Sequence, residues 1–350
     1  MKSLSKILSL LFLLPIISVA QQDSIDVFVG NQMKQQGILG LSLGIIKDGK
    51  IIKAKGYGQA NIELNIPATE NTVYKIASIS KQFIAVAILK LAEDGKLKLS
   101  DPVTKFIKLA PVSWRAITIR QLLNHTSGLP VDPPGFDGMK DVTDSIYIKS
   151  AFAKKLLHAP GSKFEYSNFG YFVLADIIRI ISGMPFPEYV KKNVFDVCGL
   201  KNTRTTSLEA IVTNRAAGYM KNSKDSIINA PNYIALRPSG AFLSNIEDML
   251  QWEIAMQEHK LLTEKSWNQV WSDSIKTPLT MDNEPIYYTF GWMTNKINGK
   301  QFVHHGGSLP GFKAVYFRYV EDKTAIIILT NSDTADCYGI AFGVVDLLPK

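Results

Sequence analysis

The sequence predicts an α/β fold in which strands from both ends of the chain form one antiparallel sheet, flanked by helices and interrupted by a mostly helical insert. Residues 39–57 alternate apolar and small side chains around an Asp48-Gly49 turn, which is typical of a β-hairpin. Short strand-like runs return after residue 286, at 287–294, 301–305, 314–319 and 324–329. Between residues 78 and 269 the signals are mainly helical, and a last helix is predicted at 337–347.

The first twenty residues have the pattern of a secretory signal peptide. Lys2 and Lys6 precede an apolar run that Pro15 interrupts, and small residues end at Ala20. The run is too short for a comfortable membrane span, so stable membrane insertion is not expected. We expect cleavage near Ala20 and a secreted or periplasmic protein. The length of residues 21–350 allows one large domain or two closely packed ones.

Charge and cysteine content argue against nucleic-acid binding and against a scaffold built on disulfides. The formal net charge is +8, and the lysines are scattered without a basic stripe that is interleaved with aromatic residues. A solvated basic surface therefore fits better than nucleic-acid binding. The cysteines, Cys198 and Cys337, are too few for a disulfide-built scaffold. We expect buried free thiols, although a bridge between them stays open.

An apparent nucleophile motif near the first strand is misleading. Residues 40–44 match the G-x-S-x-G pattern, in which a serine occupies a sharp turn between a strand and a helix. Here the chain continues through Ile45 and Ile46 into the Asp-Gly hairpin. Ser42 is therefore expected in the middle of a strand, without a catalytic role.

The segment Ser78-Ile79-Ser80-Lys81 opens a long apolar run and is the first chemical candidate. Residues three apart lie on one helix face, so Ser78 and Lys81 would project side by side. A lysine can take the proton of a serine hydroxyl only when burial or cationic neighbours suppress its charge. Considered alone, the same spacing is more typical of a solvated surface pair.

The second candidate is Tyr166-Ser167-Asn168, on a predicted loop before a helix at residues 172–181. The Tyr166 phenol could relay the proton of a serine, and the Asn168 amide could orient Lys81 or a substrate carbonyl group. A structural loop with a half-buried tyrosine is the alternative.

The third candidate, His305-Gly306-Gly307, lies at a predicted strand end. His305 and Gly307 would share one face, and backbone N–H groups there could bind an oxyanion. A glycine-rich strand end with one satisfied histidine is equally compatible. A metal site is not expected, because the histidines show no ligand spacing.

Taken together and in this order, these motifs resemble the serine β-lactamase-like superfamily. The resemblance is to the branch with class C β-lactamases, D-alanyl-D-alanine carboxypeptidases, D-aminopeptidases and related esterases. It implies a β-lactamase/transpeptidase-like fold and one β-lactamase-like serine hydrolase domain over residues 21–350. The matching segments are 78–81, 122–129, Pro160-Gly161, 164–171, Pro238-Ser239-Gly240 with Ser244 and Asp248, 305–307 and Pro310-Gly311-Phe312.

The resemblance implies a role for each matched residue. Ser78 is the expected nucleophile, Lys81 helps to deprotonate it, and Tyr166 is a second proton carrier. Which of Lys81 and Tyr166 is the base stays open, because such pairs titrate jointly. Asn168 would hold Lys81 and the substrate amide. The backbone N–H groups of Ser78 and Ser308 would form the oxyanion hole.

Other family positions carry structure or specificity. His125 is expected to close a loop, and His305 and Gly307 are expected to bind or orient substrate. His305-Gly306-Gly307 replaces the Lys-Thr-Gly with which β-lactamases and many carboxypeptidases hold a substrate carboxylate. A histidine is largely neutral at neutral pH, so efficient β-lactam hydrolysis is in doubt.

The sequence thus predicts a secreted serine hydrolase that uses no cofactor and acts through an acyl-enzyme. The expected substrate is a small-molecule or peptide ester or amide, such as a D-amino-acid peptide, a carboxylic ester or a cell-wall fragment. A true class C-type β-lactamase or D-alanyl-D-alanine carboxypeptidase is the enzymatic alternative. A non-catalytic relative that binds peptidoglycan or protein is the alternative from another class.

Overall fold

The computed structural model describes residues 23–140, 142–207, 209–233, 238, 240 and 242–349. The predicted signal peptide lies outside these residues. The strands that form the main sheet are β1 (Gly40–Lys47), β2 (Lys50–Asn61), β3 (Ile66–Pro67), β8 (Ile275–Met281), β9 (Glu284–Tyr288), β10 (Met293–Ile297), β11 (Lys300–Leu309), β12 (Phe312–Tyr319) and β13 (Thr324–Thr330). Two small antiparallel pairs lie outside it: β4 (Tyr74–Lys75) with β7 (Leu243–Ser244), and β5 (Tyr219–Lys221) with β6 (Ile227–Asn229).

Both ends of the chain build the main sheet, as the sequence predicts. Its nine strands run in the order β3-β2-β1-β13-β12-β11-β10-β9-β8, and β1 pairs with β13 in antiparallel register. Ser42 lies in the middle of β1 and is fully buried, with its hydroxyl 2.9 Å from the Tyr74 hydroxyl. The prediction that Ser42 is not an exposed nucleophile is confirmed.

Helices cover both faces of the sheet. α1 (Ser24–Gln36) and α10 (Cys337–Asp346) pack on one face over a smaller apolar core. The larger core lies on the other face and extends into the helical part of the chain. The helices on that side are α2 (Ser80–Glu93), α3 (Ile119–Leu123), α4 (Asp144–Ser150), α5 (Asn168–Ser182), α6 (Phe186–Val190), α7 (Asp196–Cys198), α8 (Ile246–Gln257) and α9 (Glu264–Ser272).

The structure corrects two predicted elements. The single strand predicted at residues 287–294 is wrong, because a tight turn separates β9 from β10. Gly291 turns there with φ +88°, and a Cβ at this position would lie 2.9 Å from the Lys81 carbonyl oxygen. This close approach to α2 breaks the strand. The second correction is at α5, which begins at Asn168 because the Ser167 hydroxyl accepts a hydrogen bond from the Gly170 N–H.

Both cysteines are buried and unpaired, as expected from their number. Burial raises the pKa of each thiol to about 12, so neither is a nucleophile at neutral pH. Within the described residues, no single helix is long and apolar enough to cross a bilayer, and one bent pair of helices, Asn168–Ser182 with Phe186–Cys198, meets the criteria by length and composition.

Candidate active site

Ser78 lies in a short 3-10 turn (Ala77–Ile79) that leads into α2. The preceding Ala77 has φ +49°, a left-handed backbone conformation that is costly for a residue with a side chain. The Ser80 hydroxyl donates a 2.6 Å hydrogen bond to the Ala77 carbonyl oxygen and holds the turn. Ser78 remains partly exposed at the surface of the turn, whereas Ser80 is fully buried.

Lys81 is directed at the Ser78 hydroxyl from inside the protein. Its side chain is fully buried, and Nζ lies 3.2 Å from Ser78 Oγ and 2.9 Å from Asn168 Oδ1. Burial lowers the pKa of Lys81 to about 7, and the nearby Asp132 carboxylate partly offsets that effect. A neutral amine is therefore available beside the hydroxyl near neutral pH, which the sequence argument required.

Tyr166 contacts the same pair. Lys81 Nζ lies 4.9 Å from the centre of its ring. Burial raises the pKa of Tyr166, and a hydrogen-bonding contact with Ser78 partly offsets the increase. The phenol is thus protonated at neutral pH and can donate a proton toward the position of Ser78.

Asn168 links Lys81 to a residue that sequence reasoning missed. The structure places Asn168 at the first residue of α5 and not in the predicted loop, so the start of the helix directs its side chain. Asn168 Oδ1 accepts from Lys81, and Nδ2 donates to Asp132 Oδ1 at 3.0 Å. Asp132 therefore fixes which end of the amide faces the lysine. Its only signal in the sequence is its place in a Pro- and Gly-rich loop, which does not distinguish it from neighbouring residues.

His125 has the structural position that was expected. Its backbone has φ +59°, and its carbonyl oxygen accepts a hydrogen bond from the Glu165 N–H at 2.8 Å. Its Nδ1 accepts from the Ser167 N–H at 3.1 Å. Burial holds the pKa of His125 well below its usual value, so the ring is neutral. These bonds tie the His125 loop to the segment that carries Tyr166.

The structure places His305 differently from the prediction of a substrate-binding side chain. The residue is 2% exposed, and both ring nitrogens have partners within the protein. Nδ1 lies 2.7 Å from the Gly306 carbonyl oxygen and Nε2 lies 3.3 Å from the Tyr288 hydroxyl. Burial and the Lys81 charge lower the pKa of His305 to about 3. The ring is therefore neutral and has no polar atom left for a substrate, so it supports the neighbouring tyrosines.

Gly307 allows β11 to approach the nucleophile. A Cβ at Gly307 would lie 2.4 Å from the Ile76 carbonyl oxygen, closer than any real side chain tolerates. In the hairpin that joins β11 to β12, Leu309 pairs with Phe312 across a two-residue turn. Because the hydrogen-bonding direction of the backbone alternates along a strand, the Ser308 N–H points away from β12. On the other side of β11, β10 pairs with it only as far as His304. This N–H thus faces the open edge of β11 beside the Ser78 turn.

The remaining motif residues support the site from behind. Ser239 lies outside the described residues, but a Cβ at Gly240 would lie 3.5 Å from the Ala77 carbonyl carbon. Asp248 accepts hydrogen bonds from the N–H groups of Lys201, Asn202 and Thr203. Ser244 also contacts Thr203, with 2.8 Å between the hydroxyl oxygens. These residues hold a loop and take no part in proton transfer.

The assembled site can perform nucleophilic acyl transfer. It combines a hydroxyl, a buried amine with a lowered pKa, a protonated phenol and an exposed strand edge. Over the residues that the structure describes, no group of three or more His, Cys, Asp and Glu side chains is arranged to hold a metal ion.

Comparisons with known proteins agree with this geometry. A family model described as Beta-lactamase matches residues 25–341. Protein flp of Staphylococcus aureus (strain MW2) is 29% identical over 322 residues, covering 89% of this chain and 63% of flp. The chain thus spans less than two thirds of the length of that curated relative.

Solved structures match over most of the chain. The octameric penicillin-binding protein homologue from Pyrococcus abyssi has a TM-score of 0.84 and 29% identity, with 92% of this chain and 76% of that chain covered. The D-amino acid amidase from Ochrobactrum anthropi SV3, solved with L-phenylalanine amide, has a TM-score of 0.81, covering 92% and 96% of the two chains. At 22% identity the amidase shows a shared fold only. The predicted β-lactamase/transpeptidase-like fold is confirmed.

Proposed function

The chain belongs to the Beta-lactamase family of serine hydrolases, and from that membership we propose that it is an exported enzyme that forms an acyl-enzyme on Ser78 and hydrolyses an ester or an amide. The proposed substrates are D-amino-acid peptides or carboxylic esters, including cell-wall fragments. The observation that carries the proposal is the buried Lys81 amine, which has a pKa of about 7 and lies 3.2 Å from the Ser78 hydroxyl.

In the acylation step, Ser78 Oγ attacks the substrate carbonyl carbon while its proton passes to neutral Lys81. The carbonyl oxygen becomes an oxyanion, which accepts hydrogen bonds from the Ser78 and Ser308 N–H groups. When the intermediate collapses, the bond to the leaving group breaks and the leaving alcohol or amine takes a proton from Tyr166. Lys81 then returns a proton to the phenolate, so the acyl-enzyme forms with both groups reset.

In the deacylation step, water attacks the acyl-enzyme carbonyl carbon and gives its proton to the Lys81–Tyr166 pair. Collapse of the second intermediate returns that proton to Ser78 Oγ and releases a carboxylic acid. The two pKa shifts favour Lys81 as the base in both steps, because burial lowers the pKa of the amine and raises that of the phenol. Asn168 and Asp132 act as positioning residues for Lys81.

The environment of His305 supports an ester or amide substrate over a β-lactam. Its ring is buried, neutral and already hydrogen-bonded at both nitrogens, so no cation stands where related enzymes have the lysine of Lys-Thr-Gly. A true β-lactamase or D-alanyl-D-alanine carboxypeptidase is the second candidate, favoured by the similarity to penicillin-binding proteins.

A non-catalytic peptidoglycan- or protein-binding role fits less well. Burying the Lys81 side chain removes its charge from water, which is costly, and a binding module gains nothing from a neutral amine beside a serine. Protein stability alone would favour an apolar side chain at position 81.

The test compares p-nitrophenyl butyrate, nitrocefin and a D-Ala-D-Ala peptide on one preparation of mature protein, with Ser78→Ala as the blank. The proposal expects Ser78-dependent hydrolysis of the ester, with nitrocefin turned over far more slowly. Rapid nitrocefin turnover would favour the second candidate. Equal activity of wild type and Ser78→Ala on every substrate would refute the enzyme. Amino-terminal sequencing of exported protein tests cleavage after Ala20.

A further inference from the structure

A second buried cation lies three residues before the nucleophile. Lys75 is 2% exposed, and its Nζ donates to Asn232 Oδ1 at 2.8 Å and to the Tyr233 carbonyl oxygen at 2.6 Å. Arg215 donates to the same Asn232 oxygen at 2.9 Å. One neutral amide oxygen is therefore shared by two cationic side chains.

The surroundings of Lys75 and Arg215 differ from those of two other enclosed cations, Lys53 and Arg318, which contact carboxylates. Lys53 contacts Asp23 and Asp26, and Arg318 contacts the buried Glu253. Within the described part of the chain, no carboxylate forms an ion pair with Lys75 or Arg215. Burial first, and then the Arg215 charge, lower the pKa of Lys75 to about 7. An anion placed here would relieve the repulsion between the two cations.

Lys75 lies close to the Ser78 nucleophile. The Cα atoms of Lys75 and Ser78 can be no more than about 10 Å apart, because the residues are only three positions apart in the chain. Its Nζ lies 5.8 Å from the centre of the Phe312 ring, in the hairpin that presents Ser308. Tyr233 packs against Gly138, where a Cβ would lie 2.8 Å from its ring. That glycine belongs to the same loop as Asp132.

The order of residues along β11 and into β12 indicates on which side of the scissile bond Lys75 and Arg215 lie. Tyr166, the proposed proton donor to the leaving group, has its ring centre 6.4 Å from that of His305, which precedes Ser308 in the strand. Lys75 contacts Phe312, which follows Ser308. With Tyr166 as the proton donor, the leaving group would point toward the His305 end of the strand, and the acyl portion of the substrate would extend toward Phe312 and Lys75.

We propose that Arg215, Asn232 and Lys75 form an anion-recognition subsite that takes a carboxylate on the acyl portion of the substrate. This inference rests on the proposed hydrolase function and narrows its substrate class to acyl groups that carry a negative charge. Arg215 is half-buried and Asn232 is exposed, so solvent reaches both residues. A carboxylate bound there would favour the protonated form of the buried Lys75 amine, which shares the Asn232 oxygen with Arg215.

The test uses mono-p-nitrophenyl esters of adipic, pimelic and suberic acid, whose chains are too long to close a five- or six-membered anhydride, each paired with the neutral ester whose distal carboxylate is a carboxamide and each corrected for spontaneous hydrolysis. We expect at least one carboxylate ester to exceed its carboxamide partner about tenfold in kcat/KM, as for a charge-assisted hydrogen bond. Arg215→Gln should reduce that ratio to about twofold or less. Arg115→Gln removes an exposed arginine of equal charge and should keep the wild-type ratio.

Binding to the inactive enzyme separates this inference from the proposed function. Ser78→Ala should bind glutaryl-p-nitroanilide more tightly than its carboxamide analogue in calorimetric titration, and Arg215→Gln in that background should remove the difference. Ratios near one for all ester pairs, or equal losses on both members of a pair in Arg215→Gln, would overturn the subsite while leaving the hydrolase intact. Preferential binding without any turnover would instead overturn the hydrolase alone.

Discussion

Replacing Asp132 by Asn is predicted to shift the acid limb of the pH–rate profile to lower pH. The carboxylate raises the pKa of Lys81, against the larger lowering by burial. Asn168 separates the two groups, with contacts of 2.9 Å to Lys81 and 3.0 Å to Asp132. The charges are therefore about 7 Å apart, which at an effective dielectric constant of about 20 corresponds to about 2 kcal/mol of attraction.

The size of this attraction sets an upper limit on the change in the pKa of Lys81. Losing it would lower the pKa of Lys81 by at most about 1.5 units, and solvent screening at the partly exposed carboxylate reduces this to about 1 unit. Wild-type kcat/KM should fall about tenfold per pH unit below an apparent pKa near 7, because protonated Lys81 cannot accept the Ser78 proton. In Asp132→Asn the same fall should begin about one unit lower.

The assay is kcat/KM for p-nitrophenyl butyrate from pH 5 to 9, corrected for spontaneous hydrolysis, with the thermal midpoint recorded at each pH. Asp137→Asn, in the same loop but ion-paired with Lys140, is the matched control and should keep the wild-type limb. An acid limb that stays in place or moves to higher pH in Asp132→Asn would refute the assignment of Lys81 as the base and of Asp132 as its electrostatic partner.

Three further substitutions test other parts of the account. Gly307→Ala forces β11 away from the Ile76 carbonyl oxygen and should lower kcat about a hundredfold, as for an oxyanion hole with a lost donor; steady-state kinetics that match wild type would contradict this. Tyr166→Phe removes the proton donor and should lower kcat by about 10²–10⁴-fold, least for esters with good leaving groups, which a leaving-group series measures. Glu253→Ala leaves buried Arg318 and Tyr316 without their partner and should lower the free energy of unfolding by about 3–5 kcal/mol in urea titration, with catalysis per folded molecule unchanged.

Much of the fold follows from local patterns in the sequence. The Asp48-Gly49 turn and the alternating residues around it define the β1–β2 hairpin, and the apolar run after Ser78 becomes α2. These segments are predictable because their periodicity and turn chemistry act over a few residues. The break between β9 and β10 was not predictable in this way. It depends on Gly291 packing against α2, more than two hundred residues away in the chain.

In the candidate site, too, residues in sequence motifs were predictable, whereas contacts that depend on the folded chain were not. Ser78, Lys81, Tyr166 and Asn168 were selected by motif, and the structure brings their side chains together. Asp132 was missed because its role depends on a contact with Asn168 that only the folded chain creates. His305 was selected but its contacts were not predicted. Its Nε2 contacts Tyr288, the last residue of β9, which the sequence pattern merged with part of β10 into one strand at 287–294.

The central claim is that Ser78 is a nucleophile activated from within the protein by Lys81. The most direct test is intact-mass and peptide-mapping mass spectrometry of the mature protein after exposure to a fluorophosphonate at pH 8, compared with Ser78→Ala and Lys81→Met. The account predicts one phosphonate on the peptide that contains Ser78, labelling slowed by at least about a hundredfold in Lys81→Met, and none in Ser78→Ala. Labelling of Ser78 at the same rate in Lys81→Met, or an unlabelled Ser78 in wild-type protein, would contradict it.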